Sequence, residues 1–149
     1  MNLDAHQIYA KAKSIDGEKN SDGTYLECAI KAAFILGGID IKDLKINFLY
    51  NDGTAQTIET LKFLVHKYNF VHVGFQIYQG FYYCNNINYV ASFTGSNLGG
   101  HAMVCCGFLP EGLIIQNSWG PMFGSKGFCI IKWEDVINYF MYGCVIENI

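Results

Sequence analysis

The chain has 149 residues, of which 51% are hydrophobic and 15% charged, and it carries a net charge of −3. That length suits one domain, and the composition suits a chain that buries a core and leaves little polar surface. No cluster of Lys and Arg occurs, so no nucleic-acid partner is expected. No apolar run approaches the roughly 20 residues that span a bilayer, so no membrane role is expected either.

Met1-Asn2-Leu3-Asp4-Ala5-His6 has neither the basic nor the apolar region of a signal peptide, which places the chain in the cytoplasm by default. Six cysteines are present, but their spacings do not read as a disulfide framework. Buried free thiols are the expected reading. Cys105 and Cys106 are adjacent on a predicted strand, so their side chains should point to opposite faces. Neither a CxxC nor an HExxH is present, so no metal and no cofactor is expected.

In chain order, Leu3 to Lys13 reads as a short helix with loose periodicity. Ser14 to Gly23 is polar and glycine-punctuated, a loop. Thr24-Tyr25-Leu26-Glu27 has the form of a capping box, in which the Thr hydroxyl and Glu carboxylate satisfy reciprocal backbone N–H groups. Leu26, Ala29, Ile30, Ala33 and Phe34 then share one helix face, and Gly37-Gly38 ends that helix. Thr57 to Tyr68 is a further helix, with Ile58, Leu61, Val65 and Tyr68 on one stripe.

The period then changes. Val71, Val73, Phe75 and Ile77 alternate with His72, Gly74, Gln76 and Tyr78, as in a half-buried strand. Ala102 to Phe108 and Leu113 to Asn117 are two more strands, joined by the turn Leu109-Pro110-Glu111-Gly112. Phe128 to Lys132 and Gly143 to Glu147 complete the set, with a helical turn at Trp133 to Tyr139. Helices first and strands later is an α+β arrangement.

The chemistry concentrates in one hairpin. His101 stands at the start of one strand and Asn117 at the end of the next, so the hairpin brings the Asn amide towards the imidazole, where it can fix the tautomer. One geometric condition attaches. With a four-residue turn, strict pairing sets His101 and Asn117 on opposite faces, so a β-bulge or an odd loop must restore a shared face.

Gly100-His101-Ala102-Met103-Val104, then Asn117-Ser118-Trp119-Gly120, then Phe123-Gly124 and Gly127-Phe128, is similar to the pattern of papain-like cysteine peptidases (the C1 family). The resemblance implies His101 as general base, Asn117 as its orienting partner and Trp119 as the indole that shields their hydrogen bond from water. Phe123 departs from the pattern where the family usually has a second Trp, a change of packing more than of chemistry. The segments Ile8 to Lys13, Gly23 to Phe34 and Val71 to Tyr78 extend the resemblance upstream, onto roughly the last two-thirds of a complete peptidase. The implied architecture is a single papain-like domain over 1–149, with 1–70 a remnant of the helical half and 71–149 the antiparallel β half carrying His101 and Asn117.

The family's nucleophile motif, an oxyanion-hole Gln several residues before a Cys, is absent from the chain. Cys28 lies near a helix N-terminus, where the dipole lowers a thiol's pKa. It is nevertheless one turn inside that helix, is preceded by Asp22 where the motif has Gln, and is followed by unrelated residues. A plain helix cysteine is the preferred reading, and Cys84 is weaker still as a nucleophile. The other four cysteines read as core residues.

The implied reaction is peptide-bond hydrolysis through an acyl-enzyme, with an extended polypeptide as substrate. A separate N-terminal segment is expected to supply Gln and Cys. The alternative is a catalytically inactive pseudopeptidase that keeps the fold to bind polypeptides. A smaller Cys–His hydrolase of the NlpC/P60 type is disfavoured, because its Asp-Cys-Ser-Gly motif does not occur.

Overall fold

A computed structural model describes residues 3–148. Its elements run α1 (Ala5–Asp16), α2 (Leu26–Leu36), a 3-10 turn (Ile41–Asp43), β1 (Leu44–Tyr50), α3 (Ala55–Tyr68) and β2 (Val71–Tyr78). A second 3-10 turn (Gln79–Tyr83) follows, then β3 (Asn97–Leu109), β4 (Gly112–Gln116), β5 (Phe128–Lys132), α4 (Trp133–Tyr139) and β6 (Phe140–Asn148). The strands form one six-stranded sheet in the order β1-β6-β2-β3-β4-β5. The pairings of β6 with β2, β2 with β3, β3 with β4 and β4 with β5 are antiparallel. The α+β expectation holds.

Two compact units are present: one runs up to Asn47 and resumes at Ile146, and the other spans Phe48–Val145. In the first, α1 starts at Asp4, whose carboxylate accepts the His6 N–H at 2.9 Å, and ends at Gly17 in the left-handed region. The apolar faces of α1 and α2 meet at Ala12, Cys28 and Ala32, all buried.

The expected capping box at Thr24 does not form. Tyr25 is the N-cap of α2, with no side-chain cap bond. Asp16 instead takes the Thr24 hydroxyl at 2.8 Å, and Lys13 pairs with the same carboxylate at 3.1 Å. A charge-assisted bond to a carboxylate competes successfully with a cap bond to a backbone N–H. Glu27 Oε2 is left buried without a partner.

The second unit carries the larger core. Ile58, Leu61 and Val65 of α3 pack with Val71, Val73, Phe75 and Ile77 of β2, and with Met103, Cys105, Leu113 and Ile115 of the β3–β4 hairpin. Removing such side chains from water contributes about 1.5–3 kcal/mol each. Thr54 caps α3, its hydroxyl accepting the Gln56 N–H at 3.2 Å, and Asn69 ends it in the left-handed region. Asn51 ties the β1–α3 connection to the α4–β6 junction, donating through Nδ2 to the carbonyls of Ile137 and Phe140 at 2.8 Å each.

β1 is an element that the sequence reading passed over. Leu44, Ile46, Phe48 and Tyr50 do alternate with Lys45 and Asn47, but β1 is an edge strand and its apolar side chains are not sorted by burial. Phe48 and Tyr50 are exposed and stack on each other, Tyr50 stacks on Tyr142 of β6, and Phe48 meets Tyr142 at a tilt.

Candidate active site

β3 is longer than its apolar pattern predicts, because it opens with Asn97 and runs through Gly99-Gly100. Ile77 faces Gly99 and Tyr78 faces Asn97, so Leu98 is an extra residue at that point. Gly99 has φ 98°, and its N–H donates to Asn97 Oδ1 at 2.7 Å, which holds the bulge. Gln76 Nε2 donates to the same oxygen. His101 then enters the sheet opposite Phe75.

A second bulge sits in the β3–β4 hairpin. Leu109, Phe108 and Gly107 pair with Gly112, Leu113 and Ile114, whereas Cys105 and Val104 pair with Ile115 and Gln116. Cys106 therefore has no partner in the ladder, and the pairing beyond it shifts by one residue. Continued one step, that register sets Asn117 opposite Met103 and on the face that His101 shares. The required irregularity is thus present, at Cys106. Cys105 is buried and Cys106 exposed, in keeping with side chains on opposite sides. The expectation that Cys106 is a core residue is overturned, because the bulge takes it out of the ladder and leaves it at the surface.

His101 and Asn117 meet: His101 Nε2 lies 2.8 Å from Asn117 Oδ1. The backbone N–H of Ser118 donates to the same Oδ1 at 2.8 Å. An atom that receives a backbone N–H must be an acceptor, which identifies it as the amide oxygen and makes His101 Nε2 the donor. His101 Nδ1 is left to accept a proton. Asn117 is only 8% exposed, and its own N–H donates to Gly127 O at 3.0 Å, anchoring it to the turn that leads into β5. Asn117 Nδ2 is buried without a partner.

Trp119 lies beside this pair, its ring 5.1 Å from the imidazole and tilted by 38°. Tyr82 stacks on the indole at 5.4 Å, and Phe123 meets it edge-on at 5.3 Å. Phe81, fully buried, makes a further edge contact at 6.4 Å. The Trp119 residue remains 36% exposed. Phe123 fills its position as a buried aromatic. Tyr82 and Phe81 were not singled out from the sequence; the aromatic run FYYC in a loop is the signal that marks them.

The turn from Ser118 to Gly127 depends on Gly124. A Cβ there would come within 2.0 Å of Phe128 O, and its φ is 53°. No other residue fits without moving the backbone.

Burial works against ionisation at Cys28, Cys105 and Cys106. Cys28, in the first turn of α2, is packed against α1, and burial pushes its thiol up, with Glu27 and Asp16 adding to the rise. Burial drives Cys105 up to about 12 and also raises Cys106. Cys105 and Cys106 stand four and five residues beyond His101 along β3, roughly 13 and 16 Å at strand rise. Cys84 and Cys129 are both buried in the main core, and Cys84 Sγ donates to Val90 O at 3.7 Å. Among the described residues no group of three or more His, Cys, Asp or Glu is placed to hold a metal ion. No described helix is long and apolar enough to cross a membrane.

Comparison with known proteins bears on the fold. No protein-family model matches the chain. Cathepsin B-like cysteine proteinase 3 of Caenorhabditis elegans is 31% identical over 87 residues, covering 56% of this chain and 23% of that protein. The chain thus spans about a quarter of the curated relative it matches. Xylellain, a cysteine protease from Xylella fastidiosa, superposes with a TM-score of 0.71 at 19% identity, covering 96% of this chain and 69% of that one. Procathepsin B S9 from Trypanosoma congolense does so with a TM-score of 0.54 at 20% identity, over 70% of this chain and 35% of that one.

The fold is that of the papain-like cysteine proteases. Within that class, the chain resembles the C1 cysteine peptidases over part of their length.

Proposed function

We propose that this chain is the histidine–asparagine portion of a papain-like cysteine peptidase, acting on an extended polypeptide with a thiol supplied by a segment outside the described residues. The supporting observation is the hydrogen bond from His101 Nε2 to Asn117 Oδ1, with the amide oriented by Ser118 N–H. It holds the imidazole in the tautomer whose Nδ1 can take a proton.

In this reading His101 Nδ1 removes the thiol proton, and the thiolate attacks the peptide carbonyl carbon. The tetrahedral intermediate collapses with cleavage of the C–N bond, and His101 returns the proton to the leaving amine. A water, deprotonated by His101, then attacks the thioester; the acid departs and the thiol is restored. Asn117 stabilises the transient imidazolium by orientation, and Trp119 keeps water from competing for Nε2–H. The separate segment carries the thiol together with a Gln that donates to the oxyanion.

The state of three of the described thiols favours a second reading, a pseudopeptidase that binds polypeptides without cleaving them. Cys28, Cys105 and Cys106 are all held above the ordinary thiol range. The coding sequence upstream of Met1 separates the two. A Gln followed six residues later by Cys supports the peptidase, and unrelated sequence supports the pseudopeptidase. Binding of an extended peptide, followed by quenching of Trp119 fluorescence, tests the site that both readings share; no change on saturation with peptides of varied sequence counts against both.

A further inference from the structure

His101 is approached through a stretch of chain rich in glycine. Gly95, Gly99 and Gly100 fall within the six residues before it, and Gly95 and Gly99 have positive φ, 84° and 98°. Ordering such a stretch costs more conformational entropy than ordering other residues, so it must be held. Amides at the end of β2 hold it. Gln79 Oε1 accepts the Ser96 N–H at 3.1 Å. The backbone N–H groups of Gln79 and Gly80 donate to Ser96 O and Thr94 O at 3.0 and 2.9 Å. Asn97 Oδ1 accepts the Gly99 N–H at 2.7 Å and is also bonded by Gln76 Nε2 from β2. Each amide oxygen is identified as an acceptor by the backbone N–H that it receives. Gly95 lies tight against this latch, since a Cβ there would come within 2.8 Å of Gln79 Oε1.

The same latch reaches the other side of the imidazole. Gln79 opens the 3-10 turn whose Phe81 and Tyr82 pack on Trp119, and the Trp119 ring lies beside His101. The approach to His101 and the support behind Trp119 are therefore fastened to each other where Gln79 meets Ser96.

We propose that Gln79 and Asn97 are positioning residues for His101: they hold the glycine-rich approach of β3 against the end of β2 and so keep the imidazole on Asn117. They act through the backbone. Without the Asn97 oxygen the Gly99 N–H loses its acceptor, and without the Gln79 oxygen the Ser96 N–H does. The strand end then frays, and His101, two residues past Gly99, leaves its bond to Asn117 more often. Deeper in the ladder the core does this work, with Val73 facing Met103 and both side chains buried. The inference concerns the His101–Asn117 hydrogen bond and stands whether or not the site hydrolyses peptides.

The test is hydrogen exchange followed by NMR on the full chain, read at the His101 Nε2–H and at the backbone amides of Val73 and Met103. Gln79→Ala and Asn97→Ala should each speed exchange of the imidazole N–H by roughly three- to tenfold, the factor that one net hydrogen bond carries, and leave the two core amides unchanged. Gln79→Glu and Asn97→Asp keep the accepting oxygen and should restore the wild-type rate. Asn85→Ala is the control: Asn85 Oδ1 likewise accepts two backbone N–H groups, from Ile87 and Asn88, in a different loop, and its loss should not move the imidazole signal. Gln79 and Asn97 are both exposed, so their variants keep the core. An unchanged imidazole rate in both alanine variants would overturn the proposal. So would an equal acceleration at Val73 and Met103, which marks general destabilisation, or a failure of Asn97→Asp and Gln79→Glu to restore the rate.

Discussion

His101 Nε2 and Asn117 Oδ1 stand 2.8 Å apart because Cys106 is left out of the β3–β4 ladder. An even hairpin would turn the two side chains to opposite faces of the sheet. The bulge is therefore part of the site, and Cys106 Sγ itself donates to Ile114 O at 3.6 Å.

Replacement of Asn117 by Ala removes an acceptor used twice, by His101 Nε2–H and by Ser118 N–H. Because the residue is buried, the loss should cost about 1–3 kcal/mol. The specific readout is a slowly exchanging imidazole N–H resonance, present in the wild-type chain and absent in N117A. Persistence of that resonance in N117A would show that Asn117 is not its partner.

Trp119→Ala should leave the His101–Asn117 bond in place but expose it. Exchange of the imidazole N–H with solvent should quicken at least tenfold. The stability change should be modest for so exposed a ring, about 1–3 kcal/mol. Tyr82→Ala should act in the same direction and less strongly, since Tyr82 covers the indole and not the imidazole.

Gly124→Ala and Gly53→Ala form a controlled pair. Both positions have positive φ, but a Cβ at Gly53 meets nothing within 4 Å, whereas one at Gly124 meets Phe128 O at 2.0 Å. Denaturant unfolding should show a loss of about 1 kcal/mol for Gly53→Ala, the backbone cost alone. Gly124→Ala should lose several times more, or fail to fold.

His72 introduces a pH dependence. Burial disfavours its charged form, so its pKa in the folded chain lies below the unfolded value. The unfolded chain then binds more protons as pH falls through about 6.5, and stability declines on that acid side until the folded-state pKa is reached. His72→Gln should flatten that part of a pH–stability profile. An unchanged slope would assign the titration to another group.

Much of this was legible in the residues themselves. The period-2 run from Val71 to Ile77 and the stripe Ile58, Leu61, Val65 record burial directly, and each became part of the main core. The parity of His101 and Asn117 across a four-residue turn demanded an irregularity, yet did not say where it would fall; any residue of the hairpin would have satisfied the count. The capping box at Thr24 failed for a tertiary reason: Asp16, eight residues back in another helix, takes the hydroxyl. β1 was missed because an edge strand with stacked, exposed aromatics does not separate its faces by polarity. Tyr82 reaches Trp119 only through the fold, and spacing along the chain carries no trace of that contact.

Active-site labelling tests the central claim most directly. The chain is treated with a peptidyl vinyl sulfone at neutral pH, and modification at each cysteine is timed by mass spectrometry against a free thiol. The account predicts that none of the six cysteines reacts faster than the free thiol, because it assigns the nucleophile to a segment outside the described residues. Rapid, selective modification of Cys28 or any other cysteine, abolished by His101→Ala, would contradict it and place the nucleophile within this chain.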